Sequence, residues 1–137
     1  MATTRKTTPP ASSTGSGAPS RDSNRAPHLA LGAWGERVAG RRYVRDGYRV
    51  LARNWRCPAG EIDLIVFRDG LVVFCEVKTR RSVAFGLPAE AVDGRRQSRL
   101  RAAASTWLRS AEVRSDGVRF DVVSVLPGRV ERIEGAF

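Results

Sequence analysis

The sequence predicts an α/β (α+β) domain in the order helix, three antiparallel strands, helix, strand. Its mixed central sheet is flanked by helices. Three observations predict it. Residues Gly60–Lys78 form two arms that alternate with a period of two and are rich in Val, Ile, Leu and Phe, joined by Asp69-Gly70. Helix-period segments stand before and after this hairpin. A further β-rich segment, Arg119–Leu126, is reached only through the second helix, which implies a parallel strand and a right-handed crossover.

The elements follow in order. Residues 1–27 are Thr, Ser, Pro, Ala and Gly with scattered Arg and no periodicity, which predicts a disordered basic tail ahead of a domain over 28–137. Residues 29–46 predict the first helix, ended by Asp46-Gly47. On it Glu36 shares an arginine-free side with Leu29, Gly32, Ala33, Ala39, Gly40 and Tyr43, while Leu31, Trp34 and Val38 lie on the other side. Residues 48–55 predict a strand, and 56–60 a turn into the hairpin. A loop over 82–91 precedes a second helix, which starts near Asp93 as N-cap and runs to about Ser110. Its apolar stripe is Leu100, Ala103, Ala104, Trp107, Leu108 and Ala111. Arg96 lies on that stripe in the first turn, where a cation opposes the helix dipole. An inward arginine there calls for an anion, either a carboxylate cluster or a substrate phosphate, and Gln97 beside it can reach the same place. Residues 129–137 add a short edge segment.

The central hairpin carries the chemistry. Asp-Gly suits a turn with both central residues at positive φ, as in type I′. In that register residues whose numbers sum to 139 face each other, so Asp63 opposes Glu76 and Glu61 opposes Lys78. Strand alternation puts all four on one face, and opposed Cβ atoms lie about 4.5–5.5 Å apart. Asp63 and Glu76 are therefore close enough to share a divalent cation, and carboxylate oxygens suit Mg²⁺ or Mn²⁺. The bland alternative is a structural ion-pair ladder in which Glu61 pairs with Lys78.

Composition bounds the partners. The 137 residues allow one domain with a core, and the net charge of +10 with a pI near 11.2 points to a polyanion, most often nucleic acid. No apolar run approaches the ~20 residues of a membrane span, and the N-terminus has no apolar signal region. Cys57 and Cys75 show no metal-ligand spacing, and free thiols fit a cytoplasmic setting. Of the 24 basic residues only Lys6 and Lys78 are lysines. Lysine is a compact point charge whose pKa can fall, whereas arginine is a wide fork that keeps its proton, so Lys78 is a candidate for positioning water or stabilising developing charge. Arg53, Arg56, Arg80 and Arg81 cluster near the same end of the hairpin and, with Trp55, make a rim suited to a phosphate backbone.

This order of elements, with Asp63…Glu76-x-Lys78, resembles the PD-(D/E)-x-K nuclease superfamily and its restriction-endonuclease-like fold. More narrowly, residues 28–137 resemble the YraN-like family of small bacterial proteins. The likeness rests on Leu31-Gly32…Gly35-Glu36…Ala39, Asn54-Trp55-Arg56, Gly60-Glu61-Ile62-Asp63-Leu64-Ile65, Glu76-Val77-Lys78-Thr79-Arg80, Phe85-Gly86, Arg119-Phe120-Asp121 and Ala136-Phe137. The resemblance implies metal binding by Asp63 and Glu76, a catalytic Lys78, a supporting carboxylate at Glu36 and an auxiliary Gln97. Arg96 and Arg132 depart from the family pattern, which carries lysine and histidine there. The implied function is metal-dependent cleavage of DNA, with branched or damaged DNA among the candidate substrates, and DNA is favoured over RNA. The alternatives are a non-catalytic nucleic-acid-binding protein of the same fold and a module that contacts RNA or a ribosomal partner.

Overall fold

The computed structural model describes residues 21–81 and 92–137, with side chains from residue 29 onward. Seven elements follow in chain order: α1 (Arg21–Arg45), β1 (Arg49–Cys57), β2 (Gly60–Arg68), β3 (Leu71–Thr79), α2 (Gly94–Ser110), β4 (Gly117–Leu126) and β5 (Arg129–Ile133). The five strands form one sheet in the order β1-β2-β3-β4-β5, antiparallel except for the parallel β3–β4 pair. This is the α+β arrangement with a mixed sheet that the sequence predicts. Two boundaries differ. Helix α1 begins at Arg21, inside the segment expected to be disordered, because extending an existing helix costs far less than starting one. The turn into β2 is shorter than expected, since β1 runs to Cys57 and pairs with Gly60. Residues 1–20 and the loop over 82–91, with Phe85-Gly86, lie outside the described residues.

The end of α1 is built by its glycine. Gly47 sits at φ +90°, the Tyr48 amide donates to the Tyr43 carbonyl at 3.0 Å, and the Gly47 amide donates to that of Val44 at 3.1 Å. These two bonds are the Schellman pattern, which satisfies helix carbonyls and turns the chain back. The Tyr43 and Tyr48 rings close the motif edge to face, with centroids 5.2 Å apart. At the other turn, Asp69 and Gly70 have φ of 50° and 81°. That is the two-residue turn expected from Asp-Gly, and the β2–β3 pairs from Arg68↔Leu71 to Leu64↔Cys75 keep the anticipated register.

Each sheet face is covered by one helix. Ile62, Ile65, Val72, Phe74, Phe120 and Val122 pack with Leu100, Ala103, Ala104 and Trp107 of α2. Leu64, Val66, Val73, Cys75, Val123 and Val125 pack with Ala39 and Tyr43 of α1. On the arginine-free side of α1, Ala39, Gly40 and Tyr43 are buried, whereas Leu29 and Ala33 nearer its start are exposed; Trp34 and Val38 on the other side are partly covered. Helix α2 is capped by Asp93, whose Oδ1 accepts from the Arg96 amide at 2.9 Å.

Candidate active site

The β2–β3 ladder stops at Leu64↔Cys75, before Asp63 and Glu76. Beyond it β2 stays paired with β1, and β3 with β4. The side chain of Asp63 takes up the slack: the Val77 amide donates to its Oδ2 at 2.9 Å. Side-chain alternation slips at the same point. Ile62 lies in the core under α2, whereas Leu64, two residues on, lies in the core under α1. Regular alternation would put both on one face. Across from Asp63, between the pairs Arg53↔Leu64 and Trp55↔Ile62, Asn54 stands at φ +47°, a conformation that asparagine tolerates better than most residues. The expectation that Glu61, Asp63, Glu76 and Lys78 share one regular face is corrected by this opening. Asp63 leans toward α1, while Glu76 faces α2.

Glu76 is 2% exposed. Its Oε1 accepts from Nε of Arg96 at 2.7 Å and also from Arg96 Nη2. Lys78 Nζ lies 3.4 Å from the same oxygen. The other oxygen, Oε2, is buried with no hydrogen-bond partner. Lys78 therefore pairs with Glu76, not with Glu61 as the ladder reading had it; Glu61 faces Arg56 at 3.4 Å. The half-buried Asp63 carboxyl is pushed up to about 7, chiefly by burial and then by the negative charge of Glu76, with a smaller push from Glu36. The Val77 hydrogen bond and Arg96 pull the other way.

A cleft of about 370 Å³ opens beside Asp63, lined by Leu29, Gly32 and Glu36 of α1 and by Asn54, Arg56 and Glu61. Glu36 is thus brought to the site. Close approach of α1 makes this possible: a Cβ on Gly35 would fall 1.8 Å from Oγ1 of Thr79 on β3. Gln97 is not in the cluster; its amide donates to the Val92 carbonyl at 3.0 Å. Arg53 lies against α1, where a Cβ on Gly40 would be 2.7 Å from its Nη1. The Arg80 amide donates to the Val125 carbonyl at 3.0 Å, and Arg81 is exposed just past β3. Trp55 packs against the core under α2 and is not a free platform of the rim.

Among the described residues no three His, Cys, Asp or Glu side chains are grouped to hold a metal ion. Two hard oxygen ligands remain, Oε2 of Glu76 and the Asp63 carboxylate. Mg²⁺ is commonly held by one or two carboxylates and otherwise by water and substrate phosphate, and these two are carboxylates of that kind.

The model of the uncharacterised protein family UPF0102 matches residues 35–125, from the glycine before Glu36 to the end of the β4 core. The chain belongs to the UPF0102 family. A UPF0102 protein of Beutenbergia cavernae is 51% identical over 77% of this chain and 94% of its own. One of Frankia alni is 50% identical over 79% and 94%, and one of Moorella thermoacetica 46% identical over 76% and 87%. The matched span holds Glu36, Asp63, Glu76, Lys78 and Arg96, while Leu29 and Gly32 of the cleft precede it. Sequence reasoning missed Asn54, Glu61 as a wall of the cleft, and the contact of Gly35 with Thr79. Asparagine's tolerance of positive φ is the one local signal that pointed to the first of these.

Proposed function

We propose that this UPF0102 protein is a metal-dependent nuclease acting on DNA phosphodiesters. The observation that carries the reading is Glu76: a fully enclosed carboxylate with one oxygen held by two cations and the other without a partner, beside an Asp63 whose proton is held to near neutral pH. Leaving a buried polar atom unpaired costs about 1–3 kcal/mol, more for a charged group, and such costs recur where a site binds something. Asp63 and Glu76 would hold Mg²⁺ or Mn²⁺, which when bound supplies Lewis-acid polarisation of the scissile phosphate. Lys78 orients the attacking water and offsets the charge that develops on the phosphoryl oxygens. Glu36 faces the same cleft and helps hold that water, while Arg56 at the rim takes the backbone. Arg96 neutralises Glu76 in the free protein, the role foreseen for an inward arginine in a helix first turn.

A second reading is favoured by one specific observation. Glu76 Oε1 already has two cationic partners, and no third acidic ligand joins the pair among the described residues. This supports a non-catalytic nucleic-acid-binding protein in which the cluster is structural. A panel of duplex, single-stranded, flap and four-way-junction DNA, titrated with Mg²⁺ and Mn²⁺ and compared with Asp63→Ala protein, separates the two. The nuclease reading expects metal-dependent cleavage of at least one substrate that Asp63→Ala abolishes. Binding without cleavage across the whole panel favours the second reading.

A further inference from the structure

We infer that the hollow on the α2 side of β2 is a second phosphate subsite, which takes a backbone phosphate neighbouring the one that reaches Asp63 and Glu76. The inference rests on the nuclease reading and adds to it a place for the adjoining nucleotide. The hollow measures about 220 Å³ and is lined by Gly60, Glu61, Arg96, Arg99 and Leu100. Glu61 also lines the larger cleft beside Asp63, so the end of β2 divides two mouths of one site. The two differ in charge. The cleft under α1 mixes Glu36 and Asp63 with Arg56, whereas the hollow under α2 presents two arginines.

Those arginines have donors to spare. A guanidinium carries five N–H groups. Arg96 gives its Nε and Nη2 to Glu76, yet its side chain stays 42% exposed, and its Nη1 has no partner among the described residues. Arg99 is exposed and has no carboxylate partner among them. Helix α2 carries Arg95, Arg96, Arg99, Arg101 and Arg109 with no acidic residue, so nothing on the helix itself competes for these cations. The one negative wall, Glu61, is turned to Arg56 at 3.4 Å. Gly60 keeps the hollow open. A Cβ there would already stand 3.6 Å from Arg99, in contact with both its Cβ and its carbonyl oxygen, and a longer side chain would fill the space. Guanidinium forks suit phosphate oxygens bidentately.

The test is salt-titrated binding of the parent, Arg99→Gln and Arg129→Gln to the same duplex and single-stranded oligonucleotides. Arg129 is exposed on β5, at the opposite edge of the sheet from β1, so its loss controls for net charge. Each duplex phosphate contact contributes about −0.9 to the slope of log K against log salt. Arg99→Gln is expected to weaken binding severalfold and to flatten the slope by about one such contact, with Arg129→Gln close to parent. If Arg99→Gln binds with the parent's affinity and slope, or if Arg129→Gln weakens binding equally, the subsite is overturned while the nuclease reading stands. If the parent binds no DNA even at about 50 mM salt, the low end of the range where such contacts dominate, both fall together.

Discussion

Lys78 is the residue at which enzyme and binder part. Its ammonium is 3.4 Å from Glu76 Oε1 and partly exposed. Lys78→Arg keeps the positive charge and can keep the ion pair with the enclosed Glu76, so the variant should fold and DNA affinity should hold. The broad fork cannot occupy the same point, and a shift of ~1 Å can cost about 100-fold in rate. Cleavage lost with folding and binding retained is the expected outcome in a nuclease assay; equal cleavage by the arginine variant removes any specific chemistry from Lys78. Asp63 yields a second prediction. Burial and the charge of Glu76 push its pKa up to about 7, so the native state holds a proton that the unfolded chain releases. The associated stability is full below about 4 and is lost as pH rises through about 7. Asp63→Asn removes that dependence. In metal-free denaturant titrations the variant should gain on the parent as pH rises from 5 to 7.5. A gap that stays constant with pH would show that burial and Glu76 do not hold the proton.

At the scale of elements, two contacts set where the helices lie. Gly35 lets α1 touch β3, and Gly35→Ala would drive a Cβ to 1.8 Å from Thr79 Oγ1. Overpacking of this kind costs roughly 1–3 kcal/mol, and the shift would carry Glu36 away from the cleft. Thermal unfolding should show the loss, and adding Thr79→Ala, which removes Oγ1, should recover part of it. In the middle of β4, where Asp121 pairs with Cys75, a network ties α1, β4 and the C-terminus together. Asp121, fully buried, accepts from Tyr43 Oη at 2.8 Å, from Nε and Nη2 of Arg119 at 2.7 and 2.9 Å, and from the Gly135 amide at 3.1 Å. Asp121→Ala strands the arginine and the phenol and should cost about 3–5 kcal/mol, as for other broken buried pairs. Metal affinity at Asp63 and Glu76 should be unaffected in the fraction that folds, which calorimetry at low temperature can read. These elements also show what was legible. The hairpin register was, because a two-residue Asp-Gly turn leaves no freedom in counting. The inward Arg96 was, because a cation in a helix first turn needs an anion. The slip at Asp63 was not: it arises where a side chain replaces a ladder partner and Asn54 turns to positive φ, both products of tertiary contact. The pairing of Glu61 with Arg56 follows from the shorter β1–β2 turn, which sets the two residues opposite each other.

For the whole molecule, charge and site belong to one picture. A net charge of +10 surrounds a sheet whose opened end holds Asp63 and Glu76, with Glu36 in the cleft beside Asp63. Among the described residues no helix is long and apolar enough to cross a membrane. Phosphate contacts through arginine release counterions, so DNA binding should weaken steeply with salt and vary little with sequence; fluorescence anisotropy on unrelated duplexes at several salt concentrations checks this. The proposed metal site is narrower: Asp63 and Glu76 at the opened strands would together hold one divalent cation. Titration calorimetry of Mn²⁺ and Mg²⁺ into the parent, Asp63→Asn and Glu76→Gln tests it most directly. One site in the parent, weakened at least about tenfold by either change while both variants stay folded, is the predicted result. Metal affinity unchanged in both variants, or absent from the parent with DNA present, would contradict it.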